Sequence, residues 1–115
     1  MSPEPLTIDD SSTANNNCRI LRLHGPILIS NLLDFQAKVR SNPCRVLIVD
    51  LTGVPYVDSA GLGSLVGAYV NHEKDGRMLA LVGVNERVRY SLRLMHVESF
   101  FRFFDTLAAA EAATA

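Results

Sequence analysis

The sequence predicts a small single-domain α/β fold with a mixed β-sheet, an N-terminal hairpin and about four helices. Apolar runs typical of buried strands alternate along the chain with segments of helical periodicity. This order favours parallel strands joined by right-handed crossovers. The chain has 115 residues, 48% hydrophobic and 20% charged, which suffices for one buried core and is too short for two domains.

The N-terminal elements are indicated by alternation and then by a change of period. Residues 1–17 are predicted to form a weak edge strand around Leu6 and Ile8, followed by a loop that ends in Asn15 to Asn17. Residues 18–115 form the remainder of the single domain. Within them, alternation over residues 18–24 predicts the second strand of a hairpin. A helix capped by Ser30 follows, with an apolar stripe formed by Leu32, Leu33, Phe35, Gln36 and Val39.

The middle of the chain predicts a strand, a loop and a long helix. The continuous apolar run from Val46 to Leu51 is typical of a central strand covered on both faces. A loop containing Pro55 leads to Asp58 and Ser59, which open a helix that runs to about Glu73.

The last third predicts two strands and two helices. A buried strand over residues 78–82 precedes a helix capped by Asn85, and an alanine-rich helix capped by Asp105 ends the chain. The inner face of the first of these helices is predicted to carry Val88, Leu92 and Met95. The final strand is predicted from Phe100, Phe101, Phe103 and Phe104.

Charge and hydropathy exclude two classes of partner. The net charge of -1 supplies no field for nucleic acid or an anionic membrane surface. No apolar run approaches the ~20 residues that span a bilayer, and the N-terminus does not look like a signal peptide. We therefore expect a cytoplasmic protein that binds no nucleic acid and does not insert into a membrane.

Motifs for catalysis and for metal binding do not occur in the sequence. Ser59 lies outside any Gly-x-Ser-x-Gly elbow, and there is no phosphate-binding loop or dinucleotide-binding glycine motif. Asp50 and Asp58 could share one rim of the sheet, but a carboxylate pair alone is weak evidence for catalysis. No metal spacing involves the three histidines, which are expected to be solvated or locally bonded: His24, His72 and His96. The sequence thus predicts a protein without enzymatic activity, metal or cofactor, and disfavours a hydrolase or phosphotransfer protein that uses Asp58 or Ser59 covalently.

The segment from Val46 to Val70, VLIVDLTGVPYVDSAGLGSLVGAYV, resembles the STAS domain of bacterial anti-sigma-factor antagonists. The buried strand, the short loop with a proline and the Asp-Ser-Ala-Gly-Leu-Gly helix start carry the resemblance, which extends over about residues 6–113. It implies an STAS-like fold and a protein-binding switch in a partner-switching pathway. Such antagonists bind an anti-sigma-factor serine/threonine kinase and release the sigma factor. Phosphorylation of one serine by that kinase inactivates them, and a serine phosphatase reactivates them.

Alignment with the family's motif makes Ser59 the implied phosphoacceptor. The amides and dipole at a helix start stabilise an added phosphate, so phosphorylation is not expected to unfold the helix. Its charge beside Asp58 is instead expected to disrupt the surface that is complementary to the partner. A simple helix cap is the alternative interpretation of Ser59.

The helix after Ser59 is predicted to carry a core stripe and a face of small side chains. The stripe comprises Leu62, Leu65, Val66, Tyr69 and Val70. Interior glycines cost a helix about 0.8–1.0 kcal/mol each relative to alanine, so Gly63 and Gly67 need a packing reason, and the close approach of another backbone is one. That backbone belongs either to a partner or to another element of the domain. The predicted partner-binding residues are Asp58, Ala60, Gly61, Gly63, Ser64 and Gly67.

Leu28 departs from the family pattern, because many members have an acidic residue at this position. Leu28 and Ile29 either enter the core or form an apolar patch that recognises a different partner. The alternative function is therefore an STAS subunit of another assembly, such as a lipid-transport complex or a stress-signalling scaffold. Arg89 and Arg93, four residues apart on a helix, are expected to form a solvated basic face or a partner contact.

Overall fold

The computed structural model describes residues 5–12, 17–41 and 44–114. It confirms the α/β fold with a five-stranded mixed sheet and four helices. The strands are β1 Thr7–Ser12, β2 Cys18–His24, β3 Val46–Gly53, β4 Met78–Val82 and β5 Arg102–Phe104. The helices are α1 Leu32–Arg40, α2 Ser59–Lys74, α3 Glu86–Leu94 and α4 Leu107–Thr114. Of the loop predicted at Asn15 to Asn17, the first two residues lie outside the described ranges.

The sheet has the strand order β1-β2-β3-β4-β5. β1 pairs antiparallel with β2, which forms the expected N-terminal hairpin, and each later strand pairs parallel with its predecessor. The carboxyl ends of the parallel strands therefore meet at one edge of the sheet, where the loops before α1 and α2 lie.

Helices cover both faces of the sheet unequally. Because successive side chains of a strand point to opposite faces, Leu47 and Val49 of β3 join the core under α1, α2 and α3, whereas Val46 and Ile48 join a smaller core under α4. The predicted two-sided burial of the central strand is confirmed. Ala110 is the buried residue that α4 contributes to the smaller core.

Two predicted helix caps are wrong by one residue. α1 begins at Leu32 with Asn31 as its N-cap residue, and the Asn31 Oδ1 accepts a hydrogen bond from the Leu28 amide at 2.9 Å instead of capping the helix. At α4 the Thr106 hydroxyl accepts from the Ala109 amide at 3.1 Å, so Thr106 rather than Asp105 caps the helix. In α4 a neighbouring polar side chain takes over the cap, whereas α1 has no side-chain cap.

The final strand is shorter than predicted. Phe100 belongs to a 3-10 turn over Glu98–Phe100, and its ring stacks on Tyr69 with centroids 5.4 Å apart. Met95, predicted on the inner face of α3, instead follows the helix as its C-cap residue and is 46% exposed. The aromatic run therefore serves packing against α2 as well as strand pairing.

Two predicted core positions face solvent. Leu33 is exposed because its neighbour Leu32 already points into the core and adjacent helical positions diverge by about 100°. Val70 is exposed on α2, where the smaller Ala68 is buried instead. The inner face of α2 also includes His72, which is 2% exposed and whose Nδ1 lies 2.9 Å from the Ala68 carbonyl oxygen.

Arg19 ties the hairpin to the end of α1. Its side chain is buried, and its Nε and Nη2 donate to the two carboxylate oxygens of Asp10 at 2.9 and 2.7 Å. A further nitrogen, Nη1, donates to the carbonyl oxygen of Ser41. The hydrogen bonds from Arg19 hold the pKa of Asp10 below its usual value. This ion pair, buried only on the arginine side, fixes the edge strand β1 against the rest of the domain.

Candidate functional site

Ser59 is the first residue of α2, and its side chain is exposed. The preceding residue, Asp58, has extended backbone geometry and caps the helix, since its Oδ1 accepts from the Gly61 amide at 2.8 Å. The predicted helix opening by Asp58 and Ser59 is confirmed. The Ser59 hydroxyl therefore lies at the positive end of a 16-residue helix dipole, where a negative charge is stabilised.

Asp58 also joins two loops. Its second carboxylate oxygen, Oδ2, accepts from the Ile29 amide at 2.9 Å, and its own amide donates to the Ile27 carbonyl oxygen at 3.2 Å. Ile27 in turn forms a parallel bridge with Val57. The loop before α1 and the loop before α2 are thus one hydrogen-bonded platform that surrounds Ser59.

Gly61 is needed for packing inside the domain. A Cβ atom at this position would lie 2.2 Å from the Ile27 carbonyl oxygen, so only glycine allows α2 to approach the neighbouring loop this closely. Ser64 is also buried, and its hydroxyl donates to the Gly61 carbonyl oxygen at 2.7 Å. Ala60 is half-buried and packs against the edge of the core. Of the predicted partner-binding residues, Gly61 and Ser64 therefore lie within the domain.

Gly63 and Gly67 differ from Gly61. A Cβ atom at either position would have no neighbour within 4 Å. Within the described residues, no other element of the domain packs closely against α2 at Gly63 or Gly67. Together they border a shallow groove between α1 and α2, whose lining also includes Gln36, Arg40 and Asn71.

An exposed apolar pair lies next to this platform. The Ile29 and Leu33 side chains are each 72% exposed, whereas Leu28 is half-buried. The sequence already suggested an apolar patch at Leu28 and Ile29, but it assigned Leu33 to the core. The helical spacing could have predicted the exposure of Leu33, because this residue shares its face with the polar residues Gln36 and Arg40 rather than with Phe35.

The remaining candidate residues have local partners. Asp50 accepts from the Thr52 amide and hydroxyl, and so differs in its contacts from Asp58. Arg89 and Arg93 lie on a solvated face, as expected, but both pair with Glu98, at 2.9 and 3.4 Å, so their charge is partly balanced. Hydrogen bonds from these two arginines lower the pKa of Glu98. These ion pairs link the 3-10 turn, which contains Glu98, to α3.

Two further features concern the described ranges 5–12, 17–41 and 44–114. Within them, no group of three or more His, Cys, Asp or Glu side chains is placed to hold a metal ion. None of the helices there has both the length and the apolar character to cross a bilayer.

The comparisons with known proteins give one family match and several solved structures of the same fold. The family model of the STAS domain matches residues 11–110. A candidate anti-sigma-factor antagonist from Thermotoga maritima is 22% identical with a TM-score of 0.81, and 92% of each chain is covered. An anti-sigma-factor antagonist from Mycobacterium paratuberculosis is 20% identical with a TM-score of 0.82, covering 97% of this chain and 96% of the other. The Bacillus cell fate determinant SpoIIAA in its phosphorylated form is 14% identical with a TM-score of 0.72, covering 93% of this chain and 99% of the other.

Proposed function

This chain belongs to the STAS domain family, and from that membership we propose that it is an anti-sigma-factor antagonist. In this proposal it binds an anti-sigma-factor serine/threonine kinase in the cytoplasm and thereby releases the sigma factor. The kinase inactivates it by phosphorylating Ser59, and a serine phosphatase restores it. It acts as a binding protein and not as an enzyme. The antagonists among its structural neighbours support this proposal at the level of fold.

One observation carries the proposal, namely the exposure of Ser59 at the end of an open row on α2. Residues four apart share a helix face, so Ser59, Gly63 and Gly67 lie in line. The space beyond both glycines is open, which allows a partner's backbone to approach α2 closely. A partner seated there covers the start of the helix. A phosphate on Ser59 then adds about -1.5 to -2 charges to that contact, next to the Asp58 carboxylate.

The first test is phosphorylation in trans by the anti-sigma-factor kinases of the source genome. Mass spectrometry of the wild type is expected to locate one phosphate on Ser59, and Ser59→Ala is expected to receive none. Ser59→Ala removes no cap, because Asp58 caps α2, so circular dichroism should show an unchanged fold. Phosphate on another residue at the wild-type rate would refute the assignment of Ser59.

The second test is a binding titration of the same kinase with Ser59→Asp. The new carboxylate is stabilised at the helix start and does not harm the fold, but in the complex it is desolvated beside Asp58. We expect at least about tenfold weaker binding, equivalent to about 1.4 kcal/mol. The control is Ser99→Asp, which adds the same charge at an exposed serine outside this platform. Equal affinity of the folded Ser59→Asp variant and the wild type would mean that Ser59 is not the switch.

The exposed pair Ile29 and Leu33 favours one alternative, an STAS subunit of another assembly such as a lipid-transport complex or a stress-signalling scaffold. Such a subunit would use this apolar pair as a constitutive contact. Leu33→Ser would then release the partner that co-purifies with the chain, while Ser59→Asp would leave that partner bound. Release of the co-purifying partner by Ser59→Asp would instead support the function as an anti-sigma-factor antagonist.

A further inference from the structure

The groove between α1 and α2 has the shape that a third helix would fill. It encloses only about 70 Å³, which is too shallow for a small-molecule ligand, since such pockets typically enclose about 300 Å³ or more. Its two walls are helices that run in the same direction, because each joins the end of one strand to the start of the next parallel strand. From Ser59 to Asn71 the α2 wall spans about 18 Å, the length of about three helical turns.

The end of this groove near Ser59 carries an exposed apolar pair. The Ile29 and Leu33 side chains are each 72% exposed. Leu33 shares a face of α1 with Arg40, which lines the groove, because seven residues make about two helical turns. The Ile29 amide is held by the carboxylate of Asp58, the residue before Ser59. The pair is therefore fixed beside Ser59, and a partner that covers it removes two large apolar side chains from water.

The far end of the groove carries a positive charge without a partner. Arg40 lies in the last turn of α1, lines the groove and is exposed. Within the described ranges, no hydrogen bond or ion pair engages its guanidinium. Lys38, the other basic residue of that turn, lies on the β1 side of the helix, 3.9 Å from the Asp10 carboxylate. A planar guanidinium pairs well with a carboxylate, so an Asp or Glu side chain complements this end of the groove.

The two ends of the groove also specify the direction of a bound helix. Acidic side chains are favourable in the first turn of a helix, so a carboxylate at Arg40 places the start of the bound helix there. The bound helix then runs antiparallel to α1 and α2. Its negative carbonyl end lies at Ser59, where it meets the positive end of α2. A phosphate on Ser59 would turn this attraction into repulsion.

We propose that the partner kinase binds this groove with an amphipathic helix of about three turns, which packs an apolar side chain on Ile29 and Leu33 and pairs an acidic side chain with Arg40. This inference rests on the proposed function, and it names the element of the kinase that a phosphate on Ser59 expels. The open space at Gly63 and Gly67 lets the backbone of this helix come close to α2.

The test is a calorimetric titration of the full-length chain with the kinase that phosphorylates Ser59 in trans. We expect Leu33→Ser to weaken binding by at least about tenfold and Arg40→Gln by about fivefold. The matched controls are Leu94→Ser, at another exposed leucine, and Lys38→Gln, on the other side of α1. Neither control should change the affinity by more than about twofold. Thermal denaturation confirms that each variant is folded.

A charge exchange tests the acidic contact. Arg40→Glu should weaken binding by at least about thirtyfold, because it adds repulsion to the lost attraction. Each exposed Asp or Glu on the helices of the kinase is then changed to Lys. One of these changes should restore most of the affinity that Arg40→Glu loses, and the same change should not rescue Leu33→Ser. Rescue that is specific to one pair identifies the two residues that meet.

Unchanged affinity of either Leu33→Ser or Arg40→Gln, with Ser59 still phosphorylated, would overturn the bound helix and leave the proposed function standing. Failure of every Lys substitution to rescue Arg40→Glu would overturn it as well. If no kinase binds the chain or phosphorylates Ser59, the proposed function is wrong, and this inference is wrong with it. Sedimentation of the chain alone tests for another occupant. A dimer that Leu33→Ser dissociates would show that a second copy fills the groove, which would also overturn the proposal.

Discussion

At the scale of single residues, Asp58 links the start of α2 to the loop before α1. One carboxylate oxygen caps the helix through the Gly61 amide, and the other holds the Ile29 amide. Ser59 makes neither of these contacts and is exposed. In the proposed function, Asp58 positions the helix start and the adjacent Ser59 receives the phosphate.

We therefore expect Asp58→Ala to lower the free energy of unfolding by about 1–2 kcal/mol, at the upper end for a lost cap because two amides lose their acceptor. Chemical denaturation measures this loss. The matched control is Thr106→Ala, which removes the cap of α4 that accepts from the Ala109 amide at 3.1 Å. Thr106→Ala should lose stability through its cap but leave the Ile29 amide shift unchanged. An unchanged Ile29 amide in Asp58→Ala would contradict the link between the loops.

His72 predicts a pH dependence of stability. Burial lowers the pKa of its imidazole below the ordinary value of about 6.5. The unfolded chain therefore binds the proton first as the pH falls, so the free energy of unfolding decreases below about pH 6.5 until the folded-state pKa is reached. The limiting slope for one proton is about 1.4 kcal/mol per pH unit.

The measurement is urea denaturation of wild type and His72→Asn between neutral and mildly acidic pH. Asparagine can keep the hydrogen bond to the Ala68 carbonyl oxygen without titrating, so the variant should lose this part of the pH dependence. Identical pH profiles of the two proteins would show that His72 titrates alike in the folded and unfolded chains.

At the scale of elements, the glycines of α2 differ in how closely the rest of the domain packs against them. Gly61 is enclosed by the loop at Ile27, whereas Gly63 and Gly67 face open space. The helix thus has one glycine that its own domain requires and two that the described domain does not use for close packing.

Gly67→Ala is therefore expected to raise the free energy of unfolding by about 0.8–1 kcal/mol, because the added methyl group meets no neighbour and alanine favours the helix. Gly61→Ala is the matched control. It should destabilise the domain, since its Cβ would collide with the Ile27 backbone. Thermal denaturation of both variants measures these changes. If both variants are stabilised, or both destabilised, the distinction between an open Gly67 and an enclosed Gly61 is wrong.

Gly67→Leu separates binding from folding. The larger side chain extends into the groove between α1 and α2 without entering the core, and leucine favours the helix over glycine, so stability should equal or exceed that of the wild type. Affinity for the proposed kinase partner should fall by about tenfold or more, because the side chain blocks a close approach. Calorimetric titration alongside thermal denaturation measures both. Parallel losses of affinity and stability would place Gly67 inside the folded core.

The elements also show what sequence patterns can and cannot predict. β3 and β4 were predictable because a continuous apolar run needs burial on both faces. The role of Gly61 was not, because it depends on Ile27, which is distant in sequence. The burial of Arg19 likewise depends on Asp10 and Ser41 from two other elements. The placement of Asp58 and Ser59 at the start of α2 was predictable because it rests on a local motif, whereas contacts between distant segments were not.

At the scale of the whole molecule, the two faces of the sheet have very different cover. Three helices shield one core, while α4 shields Ile20, Val46, Ile48, Ala80 and Val82 on the other. The second face therefore depends on one short helix of eight residues.

Ala110→Asp should strongly destabilise the domain, because it places an unpaired carboxylate in a fully buried position against the sheet. Ala109→Asp is the adjacent control, exposed and in the first turn of α4, where a carboxylate is tolerated or favourable. We expect a loss of several kcal/mol for the first and less than about 0.5 kcal/mol for the second. Denaturation curves that coincide for the two variants would contradict the role of α4 as a cover.

The joined loops around Ser59 also have a consequence for biosynthesis. The hydrogen bond between Ile29 and Asp58 connects residues 29 positions apart, and it forms only after the intervening chain has closed into a loop and β2 has paired with β3. A nascent or misfolded chain lacks the platform even though it contains the serine. For a kinase that recognises the platform, such chains are not substrates. Under the proposed function, phosphorylation of Ser59 then reports on completed folding, and the modified pool consists of molecules that have already folded.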